Sequence, residues 1–149
     1  DAPTSVAEGS APAVGRVAVR EGGVGRILVA DDDGAMRALV RHVLRRFASD
    51  FDHATNGLEL ATYLHEGGPY DLVVTDVRMA GMTGVHAMIA ARNSGLTTPF
   101  IVMTAFPEDT VRRLVESTER SVLLSKPFQA RELYAAARSF GLEERQQVG

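Results

Sequence analysis

Cysteine is absent from the 149-residue chain. Thiolate metal sites, disulfides and cysteine nucleophiles are therefore excluded. No apolar run approaches the ~20 residues that span a bilayer, and residues 1–15 carry neither a basic leader nor a continuous hydrophobic stretch. Membrane insertion and secretion are not expected, and a cytoplasmic location is. Excess charge of one sign is lacking too: 16 Lys and Arg against 19 Asp and Glu give a net charge of -3. Nucleic-acid binding by bulk electrostatics is thus not expected, and any basic patch must be local. What is present, 45% hydrophobic and 23% charged residues, suits one globular domain that buries roughly two-thirds of its unfolded surface. The chain opens on Asp1 rather than methionine, as expected of a fragment of something longer.

Residues 1–25 hold five glycines, two prolines and no aromatic residue, which reads as a flexible tail or linker. Within it, "RVAVR" at 16–20 has the alternation of a short strand. Beyond Gly25 the pattern becomes repetitive. "RILVA" (26–30) is a buried-strand signal, followed by a helix whose apolar stripe is Met36, Leu39, Val40, Val43, Leu44 and Phe47. "DFDHAT" (50–55) is a weaker, polar strand expected at an edge, and "NGLELATYLHEG" a helix closed by glycine. "YDLVVTD" (70–76) precedes a helix over about 84–93. "PFIVMTA" (99–105) precedes "PEDTVRRLVEST", with proline in the first helical turn, and "SVLLSKP" (121–127) precedes "QARELYAAARSF" (129–140). Five strand-helix units in alternation predict an α/β fold, a parallel sheet with helices on both faces. Residues 141–149 are expected to be a tail or the start of a linker.

The stretch "ILVADDDGAMR" sets three aspartates at the end of a buried strand. Asp33 is explained by the helix that follows, because its carboxylate can accept from the amides of the first turn. Asp31 and Asp32 are not. Adjacent carboxylates raise one another's pKa unless a cation sits among them, which points to a divalent metal.

In open parallel sheets the functional crevice lies outside the carboxyl ends of the strands. Those ends carry the acidic triplet, Asp76, Thr104 and Lys126. Taken singly, each has a structural explanation as a cap, a buried β-branched residue or a solvated charge. Together they supply a carboxylate nucleophile, two acids for a hard cation, a hydroxyl and an ammonium, the parts needed for phosphoryl transfer through an acyl phosphate. Mg2+ suits such an oxygen-only site with few carboxylates and a main-chain carbonyl.

In order, "LVADDD", "DLVVTDVRMAGMTG", "IVMTA" and "LLSKPF" resemble the receiver domain of the response-regulator family over about residues 26–140. The resemblance implies a doubly wound, flavodoxin-like sheet with strand order 2-1-3-4-5. It implies Asp76 as phosphoacceptor, Asp32 as a direct magnesium ligand, Asp31 as a ligand through water, and the Arg78 carbonyl as a further ligand beside Asp76. Thr104 and Lys126 would contact the phosphoryl group, and the Lys126-Pro127 peptide would be cis. The partners implied are a histidine kinase or histidine phosphotransfer protein and an unidentified output partner or effector domain, with neither nucleic acid nor membrane bound by this domain. Such a domain is a phosphoacceptor that promotes its own phosphorylation and dephosphorylation, not a turnover enzyme.

Three positions depart from the family pattern. Ala80 replaces a common proline, an exchange that either loosens its loop or is simply tolerated; Leu123 replaces an aromatic that usually follows the threonine on activation; and Phe106 replaces a charged residue two after the threonine. In the family, positions two after the acceptor and two after the threonine flank the path of hydrolytic water. Here those are Arg78 and Phe106. "DDDGA" also resembles the first motif of haloacid-dehalogenase-type phosphatases, but only Glu132, Glu143 and Glu144 follow Lys126 and none ends a strand. A receiver-like interaction module that is never phosphorylated would be expected to have lost an acid, the threonine or the lysine. His42, His53, His65 and His86 are read as surface residues in or beside helices. The basic face of the first helix, Arg37, Arg41, His42, Arg45 and Arg46, is either a solvated surface or a guide for an acidic phosphodonor.

Overall fold

The computed structural model describes residues 25–145. The elements are β1 (Arg26–Ala30), α1 (Gly34–Leu44), β2 (Asp50–Ala54), α2 (Gly57–Glu66), β3 (Leu72–Asp76), α3 (Gly84–Asn93), β4 (Phe100–Thr104), α4 (Asp109–Glu116), β5 (Ser121–Ser125) and α5 (Ala130–Ser139). All four pairings between strands are parallel. The sheet order is 2-1-3-4-5, with the polar β2 at one edge, as its sequence suggests. The tail and its "RVAVR" segment lie outside the described residues.

Alternation along the central strands builds two cores, one on each face of the sheet. Leu28, Val73, Phe100 and Val102 pack with Leu60, Met88 and Val115 on one face. Ile27, Val29, Val74, Ile101 and Met103 pack with Val40, Leu44, Leu133 and Ala137 on the other. The period-2 direction of strand side chains divides each strand between the layers. Consequently α2, α3 and α4 cover one face, and α1 and α5 the other.

Two details differ from the sequence reading. Leu39 is 41% exposed; α1 turns Val40 and Leu44 inward and leaves Leu39 on its flank. Pro107 precedes α4 instead of entering its first turn, because Glu108 is the N-cap. The described domain starts and stops at one corner. Gly25 O accepts from Asp50 N, a Cβ on Gly25 would stand 2.7 Å from Phe47 O, and Arg145 N donates to Arg46 O at 2.6 Å.

Candidate functional site

Parallel register brings the strand ends to one edge. Ala30 lies level with Thr75, Asp76 with Met103, and Thr104 with Ser125, so residues just beyond these positions converge. Asp31, Asp76 and Thr104 are buried there, at 1%, 8% and 1% exposure, while Asp32 faces solvent. Carboxylate oxygens of Asp31, Asp32 and Asp76 lie within 4.8 Å of one another. Lys126 Nζ sits 3.0 Å from Asp31 Oδ2 and 3.2 Å from Asp76 Oδ1.

One ammonium among three carboxylates leaves the cluster net negative. Burial pushes the Asp76 carboxyl above its ordinary range, and the Asp31 charge adds to this, while Lys126 opposes it. For Lys126, burial alone would lower the ammonium. The hydrogen bond to Asp31 and the charges of Asp76 and Asp31 outweigh it and hold the group above its ordinary value. An oxygen-only set of three acids, two of them buried beside a single cation, fits a hard divalent ion such as Mg2+.

The neighbouring groups fix the geometry. Asp31 Oδ1 accepts from Asp33 N at 2.9 Å, and Asp33 Oδ1 accepts from Ala35 N at 2.9 Å. The third aspartate is therefore the α1 cap, as expected. Thr104 Oγ1 accepts from Phe106 N at 3.0 Å, so its hydroxyl proton remains for another acceptor. Lys126-Pro127 is cis, and so is Gly68-Pro69. The exchange at Ala80 has not left its loop unattached: Ala80 O accepts from Gly57 N at 2.9 Å, and Met79 is buried. Leu123 is half-buried against the core on the α3 and α4 side.

Arg78 and Phe106 meet across the mouth of the crevice. The guanidinium lies 5.4 Å from the Phe106 ring centroid, and Nη2 is 3.5 Å from Glu108 Oε2. Two of the three acids that follow Lys126 are engaged elsewhere. Glu132 Oε1 accepts from Gln129 N in the α5 capping box, and Glu144 contacts the Tyr134 hydroxyl.

Sequence reasoning missed two contributors. Arg37, read as part of the outer basic face, turns back and donates from Nη1 to Asp31 O at 2.7 Å. Gly84 brings the start of α3 against the β3 end: a Cβ there would stand 2.2 Å from Asp76 O and 2.7 Å from Thr75 Oγ1. The "TG" preceding the α3 pattern was its one visible signal. His53 is a correction. It lies in β2, half-buried, and burial followed by the charges of Arg37 and Arg41 keeps it below its ordinary pKa.

Comparison with known proteins agrees with this geometry. Residues 27–138 match the family described as response regulator receiver domain. The transcriptional regulatory protein TcrA of Mycobacterium tuberculosis is 32% identical over 136 residues, covering 91% of this chain and 52% of that protein. The response regulator MprA of Mycobacterium sp. (strain KMS) is 34% identical over 116 residues, 76% of this chain and 49% of that one. The chain thus spans about half the length of these curated relatives. Among solved structures, a response regulator receiver protein from Sinorhizobium medicae superposes with a TM-score of 0.70 at 22% identity, covering 78% of this chain and 94% of its own. The signal receiver domain of NarL from Mycobacterium tuberculosis gives 0.69 at 23%, with the same coverage. No described helix is long and apolar enough to cross a membrane.

Proposed function

The chain belongs to the response regulator receiver family of two-component signalling, and from that premise we propose that Asp76 accepts a phosphoryl group from a histidine kinase or histidine phosphotransfer protein. The observation that carries this reading is the Lys126 ammonium held between buried Asp31 and Asp76 beside the buried Thr104 hydroxyl. A module that served only as a surface would gain nothing from burying two carboxylates, which costs stability.

In the proposed reaction an Asp76 carboxylate oxygen attacks phosphorus, forming an O–P bond as the N–P bond to the donor imidazole breaks. The electron pair of the N–P bond stays on the imidazole, which leaves neutral when its other ring nitrogen already carries a proton. Lys126 opposes the effect of burial on the Asp76 carboxyl and offers its ammonium to a phosphoryl oxygen. Thr104 donates its free hydroxyl proton to another. Asp31 and Asp32, with Asp76 and the Arg78 carbonyl, would hold Mg2+, which when bound supplies positive charge to the transferring group. The acyl phosphate then shifts the population of surface conformations that an effector reads.

The test is intact-mass analysis after incubation with magnesium and acetyl phosphate. Wild type should gain one alkali-labile phosphoryl group and Asp76→Asn none. Equal labelling of the two proteins would remove Asp76 from the role.

A further inference from the structure

On the α1/α5 face, away from the acidic crevice, the chain carries a second concentration of charge, of the opposite sign. A groove of about 450 Å³ lies between α1 and α5, with His42, Arg45, Arg46 and Arg131 on its walls and Val43 and Tyr134 among its lining. Tyr134 is fixed by its ring, whose centroid is 5.0 Å from that of Phe47. Arg45 is held at the wall by donating from Nη1 to His42 O at 2.6 Å. Arg131 is exposed, and its side chain has no hydrogen bond or ion pair among the described residues.

The chain's own segment after α5 reaches this groove. Leu142 packs onto the α1/α5 core, Arg145 N donates to Arg46 O at 2.6 Å, and Arg145 Nε donates to Arg45 O at 3.0 Å. These contacts place the Glu144 carboxylate on the Tyr134 hydroxyl, with one oxygen 4.0 Å from Arg46 Nη1. Glu144 thus meets two of the residues that line the groove, Tyr134 and Arg46, while Arg45 and Arg131, which also line it, have no carboxylate partner among the described residues. Among the described residues the groove keeps an excess of positive charge, although the chain as a whole is net negative at -3.

We infer that the α1/α5 groove is a binding site for an acidic peptide segment of a protein partner, and that Glu144, seated on Tyr134 and Arg46, competes with that segment for the site. A peptide with several carboxylates can engage Arg45, Arg46 and Arg131 together, which Glu144 alone cannot do. Because Glu144 is tethered, it acts at high effective concentration and lowers the apparent affinity of any competitor. The segment at 142–145 is thereby a built-in threshold that admits only densely acidic partners. This inference does not depend on phosphorylation of Asp76.

The probe is a fluorescein-labelled hexaglutamate peptide, followed by fluorescence anisotropy with the whole chain at low and at moderate salt. Glu144→Ala should bind it more tightly than wild type by about fivefold, the scale of one partly exposed ion pair with its hydrogen bond. Glu144→Gln, which keeps the shape of the side chain and loses its charge, should fall between the two. Adding Arg45→Glu and Arg131→Glu to Glu144→Ala should abolish the gain, and thermal melts establish that each variant is folded. Equal affinity of Glu144→Ala and wild type, absence of binding in both, or binding that survives the two arginine reversals would each overturn the inference.

Discussion

Gly84 lies so close to Asp76 that a single added carbon at its Cβ position would stand 2.2 Å from the Asp76 carbonyl oxygen. No rotamer relieves such a contact, since both atoms belong to or directly adjoin the backbone. Either α3 or the end of β3 must move. Gly84→Ala should cost about 1–3 kcal/mol in urea unfolding, as overpacking does, and should slow labelling by acetyl phosphate. Gly34→Ala is the contrast. Its Cβ would meet only the guanidinium end of the Arg37 side chain, at an ordinary contact distance of 3.4 Å, so stability and labelling should stay near wild type. If the two variants behave alike, the close approach at Gly84 does not position the acceptor.

Asp76 should also show itself in stability without metal. Its carboxyl is raised above the ordinary 3.8, chiefly by burial and then by Asp31. A carboxyl raised in the folded state contributes stability that is complete below the unfolded value and is lost as pH rises through the folded value. Asp76→Asn cannot lose it. In chelator the variant should therefore gain on wild type as pH rises from about 4 toward neutrality, reaching an advantage on the order of 1 kcal/mol. Saturating magnesium should narrow that gap, because the ion binds the wild-type carboxylate. A gap independent of both pH and magnesium would contradict this electrostatic account.

The outer arginines of α1 bear on transfer from a protein donor. Arg41 lies over the Phe51 ring at 5.8 Å and Arg45 at the opposite end of the helix from Asp33. Reversing both charges to Glu should slow phosphotransfer from the cognate histidine donor several-fold and flatten its salt dependence. Labelling by acetyl phosphate, which needs no docking surface, should be nearly unchanged. Equal loss in both assays would make this face structural.

Lifetime of the acyl phosphate is governed by what can orient water. Phe106 has no polar group on its ring, and Arg78 donates but cannot accept a water proton. Their contact across the mouth, reinforced by Glu108, leaves neither side chain suited to general-base assistance. Self-dephosphorylation should be slow. A variant carrying Arg78→Asn and Phe106→Glu should lose its phosphoryl group at least about tenfold faster, within the range of positioned acid-base assistance, when radiolabel is followed over time. Equal decay rates would exclude the two positions as determinants.

Local signals made the strands, the helices and the strand-end acids legible. The apolar runs of β1, β3 and β4 are buried on both sides, and the aspartates after β1 and at the end of β3 must converge with Thr104 at the end of β4 once the sheet is parallel. The 2-1-3-4-5 order rested on resemblance, because the sequence periodicity says which strands are buried but not which ones neighbour each other. Arg37 was opaque for a different reason. A long flexible side chain on an exposed helix face can turn toward either solvent or backbone, and only the position of Asp31 O decides it. Leu39 and Phe47 fit the same helical stripe, yet one is 41% exposed and the other 3%, since the rotation of α1 against the sheet is a tertiary choice. The Glu144 contact spans residues that lie far apart in sequence and follows no spacing rule.

The corner where Gly25 meets the end of α1 and Arg145 bonds to Arg46 has a consequence for assembly. α1 begins at the acidic crevice and runs 11 residues, about 16 Å, toward that corner. Polypeptide fused before residue 25 or after residue 145 would depart from one shared point, a helix length from the carboxylates. Both ends of the described residues are thus tied down at the end of α1 remote from the acids.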